Sequence, residues 1–196
     1  MEQGEVGRPM AKGDVINHMR AWIDAHPKRA EIRAALAKPY DAMLDGEPFK
    51  LDWVDFRQTN AIVSAVYEVL GASGVHEFMR WVTQRGIVPR VRPLIEGTIR
   101  LFGVKPEALL SRVEFLNRTT TKNIDARWDR IDDHSGDVVL TFHGPIDGLG
   151  PQGLLSLPAQ LGWAAALSTV FDLCHVQGRA EPAETRAREL RIRCRW

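Results

Sequence analysis

The sequence predicts an α+β fold: N-terminal helices packed with a four-stranded antiparallel sheet in the C-terminal third, in hairpin–helix–hairpin order. Three observations carry this. Apolar residues recur at helical spacing up to about Thr121, then alternate with charged ones from Ile124 to Asp129. A nearly all-apolar stretch, Leu161 to Leu173, lies between two segments of strand character. The last eight residues alternate strictly: Leu190, Ile192, Cys194 and Trp196 share one face, and Glu189, Arg191, Arg193 and Arg195 share the other.

Residues 1–11 carry Gly and Pro without a period and read as a flexible arm, leaving 12–196 as a single α+β domain. Asp14 is placed to cap a helix to about Ala25, with Val15, Met19, Trp22 and Ile23 on one face. Pro27 opens a second helix to about Ala37, Pro39 breaks it or opens a further short turn, and Asp45-Gly46-Glu47-Pro48 is a turn. Asp55 caps a helix through Leu70 that Gly71 stops, and Ser73 starts another through Gln84 that Gly86 ends. Helices follow from about Pro93 to Phe102 and from Pro106 to Leu116.

The first hairpin has strands at 124–129 and 138–142 around a turn at 132–137, longer than a two-residue loop. The glycine-rich stretch Gly144 to Gly153 reads as a connection, since it lacks the Gly-Lys-Ser/Thr ending of a phosphate loop. Pro158 opens a helix to about Leu173. That helix is apolar nearly all round, so it belongs in the centre, covered by sheet or by a partner chain. Strands at 174–180 and 187–196, with a polar turn at 181–186, close the chain.

The bulk numbers exclude several classes. The 196 residues suit one domain, and 44% hydrophobic with 26% charged residues is ordinary globular composition. Basic and acidic residues nearly cancel, 26 against 25, which gives no case for nucleic acid or an anionic membrane. There is no membrane-length apolar run and no basic region followed by an apolar one at the start, so a cytoplasmic location is expected. The six histidines form no zinc motif, Ser156 and Ser168 lack a nucleophile-elbow setting, and Asp132, Asp133 and Asp137 lack a calcium loop's spacing. No catalytic residue, metal or cofactor is assigned.

Candidate residues lie in the C-terminal half. Trp163 sits on the apolar helix beside Gly162, Ala164 and Ala165, small residues that allow close helix approach or leave space for a ligand. Trp163, Leu167, Phe171 and Trp128 are the expected pocket or interface. Arg191, Arg193 and Arg195 either lie in water or meet an acidic partner. If the last hairpin turns about Glu184, Cys174 faces Cys194 at a Cα separation of roughly 4.5–5.5 Å, within disulfide range. With only two cysteines, free buried thiols are the default and a thiol pair the alternative.

The order of a strand pair, an Ala/Leu-rich helix, a strand with Gly and a closing charged-alternating strand ending Arg195-Trp196 resembles the end of the vinyl-reductase-type domain. Leu51-Asp52-Trp53, the helix ending Leu70-Gly71 and the one ending Gln84-Arg85-Gly86 extend this. The nearer resemblance is to an uncharacterised paralogous family of myxobacterial proteins of about this length. It implies the superfamily of haem/nitric-oxide sensors and vesicle-tethering adaptors: helices and a four-stranded sheet, usually around a ligand cavity, often dimeric. The haem sensors' Tyr-x-Ser-x-Arg signature is absent, so haem binding is not carried over. The expectation is a non-catalytic small-molecule-sensing or protein-interaction module in bacterial signalling. It would be a homodimer, with a small apolar ligand or a protein partner, and without nucleic acid or membrane span. A ligand-free structural adaptor, or an enzyme acting on a hydrophobic or tetrapyrrole-like compound, remains the alternative.

Overall fold

The computed structural model describes residues 7–46, 52–146 and 153–196. Helices dominate up to residue 120, and a four-stranded antiparallel sheet with one long helix follows, as the change of period predicts. Among the described residues no helix is long and apolar enough to cross a membrane.

Among the described residues the first element is strand β1 (Met10–Lys12), the middle strand of a small antiparallel sheet. Its neighbours are β2 (Trp53–Asp55) and β3 (Thr121–Lys122). The expected arm therefore ends earlier, because Met10 and Ala11 are held by backbone pairing on both sides.

Helix α1 (Asp14–Ala25) buries Val15, Met19, Trp22 and Ile23, the stripe its spacing predicts. Asp14 does not cap it; its carboxylate pairs with Arg90 instead. Two short helices follow, α2 (Arg29–Ala35) and α3 (Lys38–Asp45), the second opened by Pro39. Helix α4 (Phe56–Val82) is capped by Asp55, whose Oδ1 accepts from the Arg57 amide at 2.9 Å. Gly71 interrupts this helix where the sequence predicts a stop: at φ 69° and ψ -166° it leaves helical geometry, in a conformation open to glycine, and a second helical run to Val82 follows across the kink.

Gly86, by contrast, does not end a helix. The chain passes through a π-helical turn (Thr83–Ile87) straight into α5 (Val88–Phe102). A Cβ at Gly86 would lie 2.8 Å from the His18 ring, so this glycine serves close packing against α1. The single helix expected at 106–116 is two: α6 (Pro106–Leu110) and α7 (Val113–Thr120).

In the main sheet the strand order is β4-β5-β7-β6, from β4 (Ile124–Asp132), β5 (Ser135–Phe142), β6 (Arg179–Arg186) and β7 (Glu189–Arg195). The first hairpin is tighter than predicted: Asp132 pairs with Ser135, and a bulge between Arg130 and Asp132 absorbs the offset. The second hairpin turns at Ala187-Arg188 rather than about Glu184, and Arg186 pairs with Glu189. Pro182 sits inside β6, which is possible because β6 is an edge strand whose outer side needs no ladder bond.

Between the hairpins lies α8 (Leu157–Leu173), capped by Ser156. It is central, as its all-round apolarity requires. On one side Ala164, Leu167 and Phe171 pack on Ile124, Val138, Leu140, Leu190 and Ile192 of the sheet. On the other side it meets α4, where a Cβ at Gly162 would come within 3.5 Å of Val63. Arg80 and Asp172 tie the two helices by a bidentate pair, Nη2 lying 2.6 Å from each oxygen.

Candidate functional site

Two apolar cavities adjoin α8, and Trp163 and Ala166 line both. The first, about 80 Å³, lies between α8, α1 and α4 and is lined by Val15, Met19, Phe56, Val63 and Met79 among others. The second, about 120 Å³, lies between α8, the π-helical turn, α5 and the α6–α7 region. Val91, Ile95, Leu110, Leu167 and Val170 are in its wall. No charged side chain lines either cavity among the described residues.

The cavities exist because of what meets at α8. Ala166, Gly162 and Ala159 offer almost no side chain at the point where α1 and α4 approach, so the space is left unfilled. Trp163 lines both voids, with Ile87, Thr120 and Ala166. Its ring stacks on Phe56 at 5.5 Å between centroids and 1° between planes, which fixes its orientation. Its indole nitrogen is buried without a hydrogen-bond partner. Thr83, 5% exposed, lines the second cavity, and its Oγ1 is also buried and unpartnered.

Of the four residues expected at a pocket or interface, Trp163 and Leu167 line these cavities, and Phe171 and Trp128 lie outside the two. Phe171 is 2% exposed and belongs to the core under the sheet, its ring 6.2 Å from Trp196. Trp128 lies over Gly136 on the neighbouring strand, 6.0 Å from Trp196. Phe56 and Thr83 carry no sequence signal that separates them from ordinary core positions.

The arginines of β7 share one face, as the alternation predicts, but they are paired within the sheet. Arg193 binds the carboxylate of Asp137 on β5, and Arg191 lies 3.5 Å from Asp129, 3.8 Å from Asp137 and 3.8 Å from Glu184. Arg195 reaches Glu181 at 3.8 Å. Val139, 1% exposed, is buried under this charged layer opposite Arg191.

Cys174 and Cys194 do not face each other. The turn at Ala187-Arg188 sets Ala180 opposite Cys194, and Cys174 caps the end of α8. Cys194 packs under the sheet, whereas Cys174 packs with Val91, Ile95 and Leu109. Both are free thiols, and burial pushes Cys174 up to about 11. Burial, with the charge of Asp137, pushes Cys194 up to about 12.

A third, polar cavity of about 280 Å³ lies between α4, α8 and β6, lined by His76, Arg80, Ser168, Asp172, Arg179 and Glu181. It brings a serine, a histidine and an aspartate together without forming a relay. Asp172 is held by Arg80, and the Ser168 hydroxyl donates to the Ala164 carbonyl at 2.9 Å. Burial, then the charge of Arg80, lowers the pKa of His76. No group of three or more His, Cys, Asp or Glu that could hold a metal exists among the described residues.

No family model and no curated protein matches the sequence. Solved structures do match in fold. An Fe(II) unliganded H-NOX protein mutant from K. algicida aligns with TM-score 0.61 at 8% identity, covering 94% of this chain and 95% of that one. An oxygen-binding H-NOX domain related to soluble guanylate cyclases, in its oxygen complex, aligns with TM-score 0.56 at 11% identity over 94% of each chain. A T. Tengcongensis H-NOX mutant aligns with TM-score 0.53 at 10% identity, covering 94% and 96%. The chain therefore shares the fold of these H-NOX structures.

Proposed function

We propose that this chain is a non-catalytic small-molecule-sensing module that binds a small apolar ligand, without haem, in the paired cavities around Trp163. The observation that carries the reading is the pair of apolar voids walled by one stacked tryptophan in an H-NOX-like fold. A haem does not fit them. Among the described residues neither wall contains His, Cys or Tyr, the thioethers of Met19 and Met79 are the only soft donors, and no Arg or Lys is there for haem carboxylates. Volumes of about 80 and 120 Å³ are also below the roughly 300–1,000 Å³ of sites for larger ligands. The larger approaches the ~150 Å³ of an engineered apolar cavity that admits benzene.

The reading keeps one domain, extended at its start to Met10 of β1, which limited proteolysis tests, and a homodimer as the assembly, which native mass spectrometry reads directly. It also keeps the kinship with the myxobacterial paralogous family and the vinyl-reductase-type domain. The test of the site is an NMR titration of the ¹⁵N-labelled protein with benzene, with the indole signals assigned by single Trp→Phe variants. Binding in the cavities shifts the Trp163 indole and leaves Trp53, which lies under Lys12 and Lys122 at the small sheet, in place. No shift at Trp163 up to saturation refutes the site.

A further inference from the structure

The two apolar voids share four wall residues, Ile87, Thr120, Trp163 and Ala166, so each void lies one side chain away from the other. Little is fixed across this waist. Ala166 has only a methyl group there, and Ile87 is half-buried at the end of the π-helical turn, where a change of rotamer is open to it. The walls offer a ligand carbon and little else. Thr59, Asn60, Asn117 and Thr169 spend their donors on backbone carbonyls, at 2.7, 3.3, 2.6 and 2.6 Å. Thr83 Oγ1 and Trp163 Nε1 are closed off from solvent, and no charged side chain lines either void among the described residues.

We infer that the two voids act as one site, and that its ligand is a neutral, unbranched hydrocarbon chain that crosses from one to the other past Ala166 and Trp163. Size carries the argument. Singly the voids, at about 80 and 120 Å³, fall short of the ~150 Å³ that admits benzene, and together they exceed it. At the same volume per carbon, the larger void alone holds about five carbons and the pair about eight. Shape then selects among molecules of that size: a chain threads a waist between two lobes, whereas a ring of equal carbon count has to fit inside one lobe. Neutrality follows from walls that hold no charge and present no free donor, since a charged ligand would be buried without a partner. This rests on the proposed ligand-binding reading and names its ligand class.

The test uses the full wild-type chain with ¹³C-labelled methionine and isoleucine methyl groups, so no variant has to fold. Met79 lines only the first void and Ile95 only the second. n-Heptane should shift both methyl signals in one saturable step, with one molecule bound per chain as counted from the headspace vapour. Cycloheptane, equal in carbon count, should shift at most one of the two and bind roughly 10-fold more weakly, the loss of about two buried methylenes. Along the series from n-butane to n-heptane, affinity should rise about 4-fold per carbon, the ~0.8 kcal/mol of a buried methylene. Two unconnected voids would end that rise near n-pentane. If n-heptane shifts one methyl only, binds as two molecules or gains nothing over n-pentane, while benzene still shifts the Trp163 indole, the single-site inference falls and apolar binding stands. If neither n-heptane nor benzene moves any of these signals, both readings fall.

Discussion

Ala166→Leu is the most direct test of the cavities. Ala166 lines both voids, so a larger side chain grows into space rather than into neighbours. Two routes give the magnitude. Removing a void of about 80 Å³ at about 24 cal/mol per Å³ is worth about 2 kcal/mol. Three added carbon atoms at about 0.8 kcal/mol per buried methylene give about 2.4 kcal/mol. Ordering the leucine side chain costs about 0.5–1 kcal/mol. A net stabilisation of about 1–1.5 kcal/mol is expected. Urea unfolding followed by tryptophan fluorescence should show a higher midpoint at unchanged slope, by roughly 0.5 M for a slope of about 2–3 kcal/mol per M. The same variant should lose the benzene-induced shift of Trp163. A lower midpoint at unchanged slope would mean that the site is filled, and the ligand reading would lose its basis.

Gly136→Ala should destabilise by about 1–3 kcal/mol, because its Cβ would lie 2.4 Å from the Trp128 ring and 2.8 Å from the Asp129 carbonyl. Gly97→Ala, in α5 with nothing within 4 Å of the new Cβ, should instead stabilise by about 0.5–1 kcal/mol. Paired thermal melts check both signs. His18 and His76 both have lowered pKa values, His18 through burial and then the charge of Arg85, and His76 through burial and then Arg80. The unfolded chain therefore binds more protons than the folded one below about pH 6.5, so stability is full above that pH and falls as pH drops through their folded values. Arg80→Gln should raise the His76 pKa, and a ring-proton NMR titration that shows no rise would contradict the assignment. With Cys174 raised to about 11 and Cys194 to about 12, neither thiol should react with Ellman's reagent at pH 8 until denaturant is added, after which two should.

Where signals are local, the sequence carried the fold well. Val15, Met19, Trp22 and Ile23 fall on one face of α1, and every turn of that helix can be read from its own residues. Glycine is harder to read, because the same residue serves different ends. Gly71 supplies a left-handed kink inside α4, and Gly86 supplies clearance for His18. Gly71 ends a helical run as its sequence position predicts, whereas Gly86 does not, and only the neighbouring α1 explains why. Trp163 was legible as a large ring among small residues, and Leu167 as its neighbour one helical turn on. Phe171 shares that surface pattern yet faces the sheet core, since a helix covered on all sides has no periodicity to say which neighbour is which.

The amino-acid order alone determined the class of the fold, the change from helix to strand near Thr121, the central place of α8 and the two-faced last strand. These follow from side-chain period and turn chemistry, which act over a few residues. Only the tertiary structure decided the register of β6 on β7, and with it the separation of Cys174 from Cys194. It alone paired Arg191, Arg193 and Arg195 with carboxylates from three other strands. It alone left the voids beside Trp163 and the unpartnered donors of Thr83 and Trp163. Pairing and empty space depend on which distant surfaces meet and how completely they fill each other, and no local pattern encodes that.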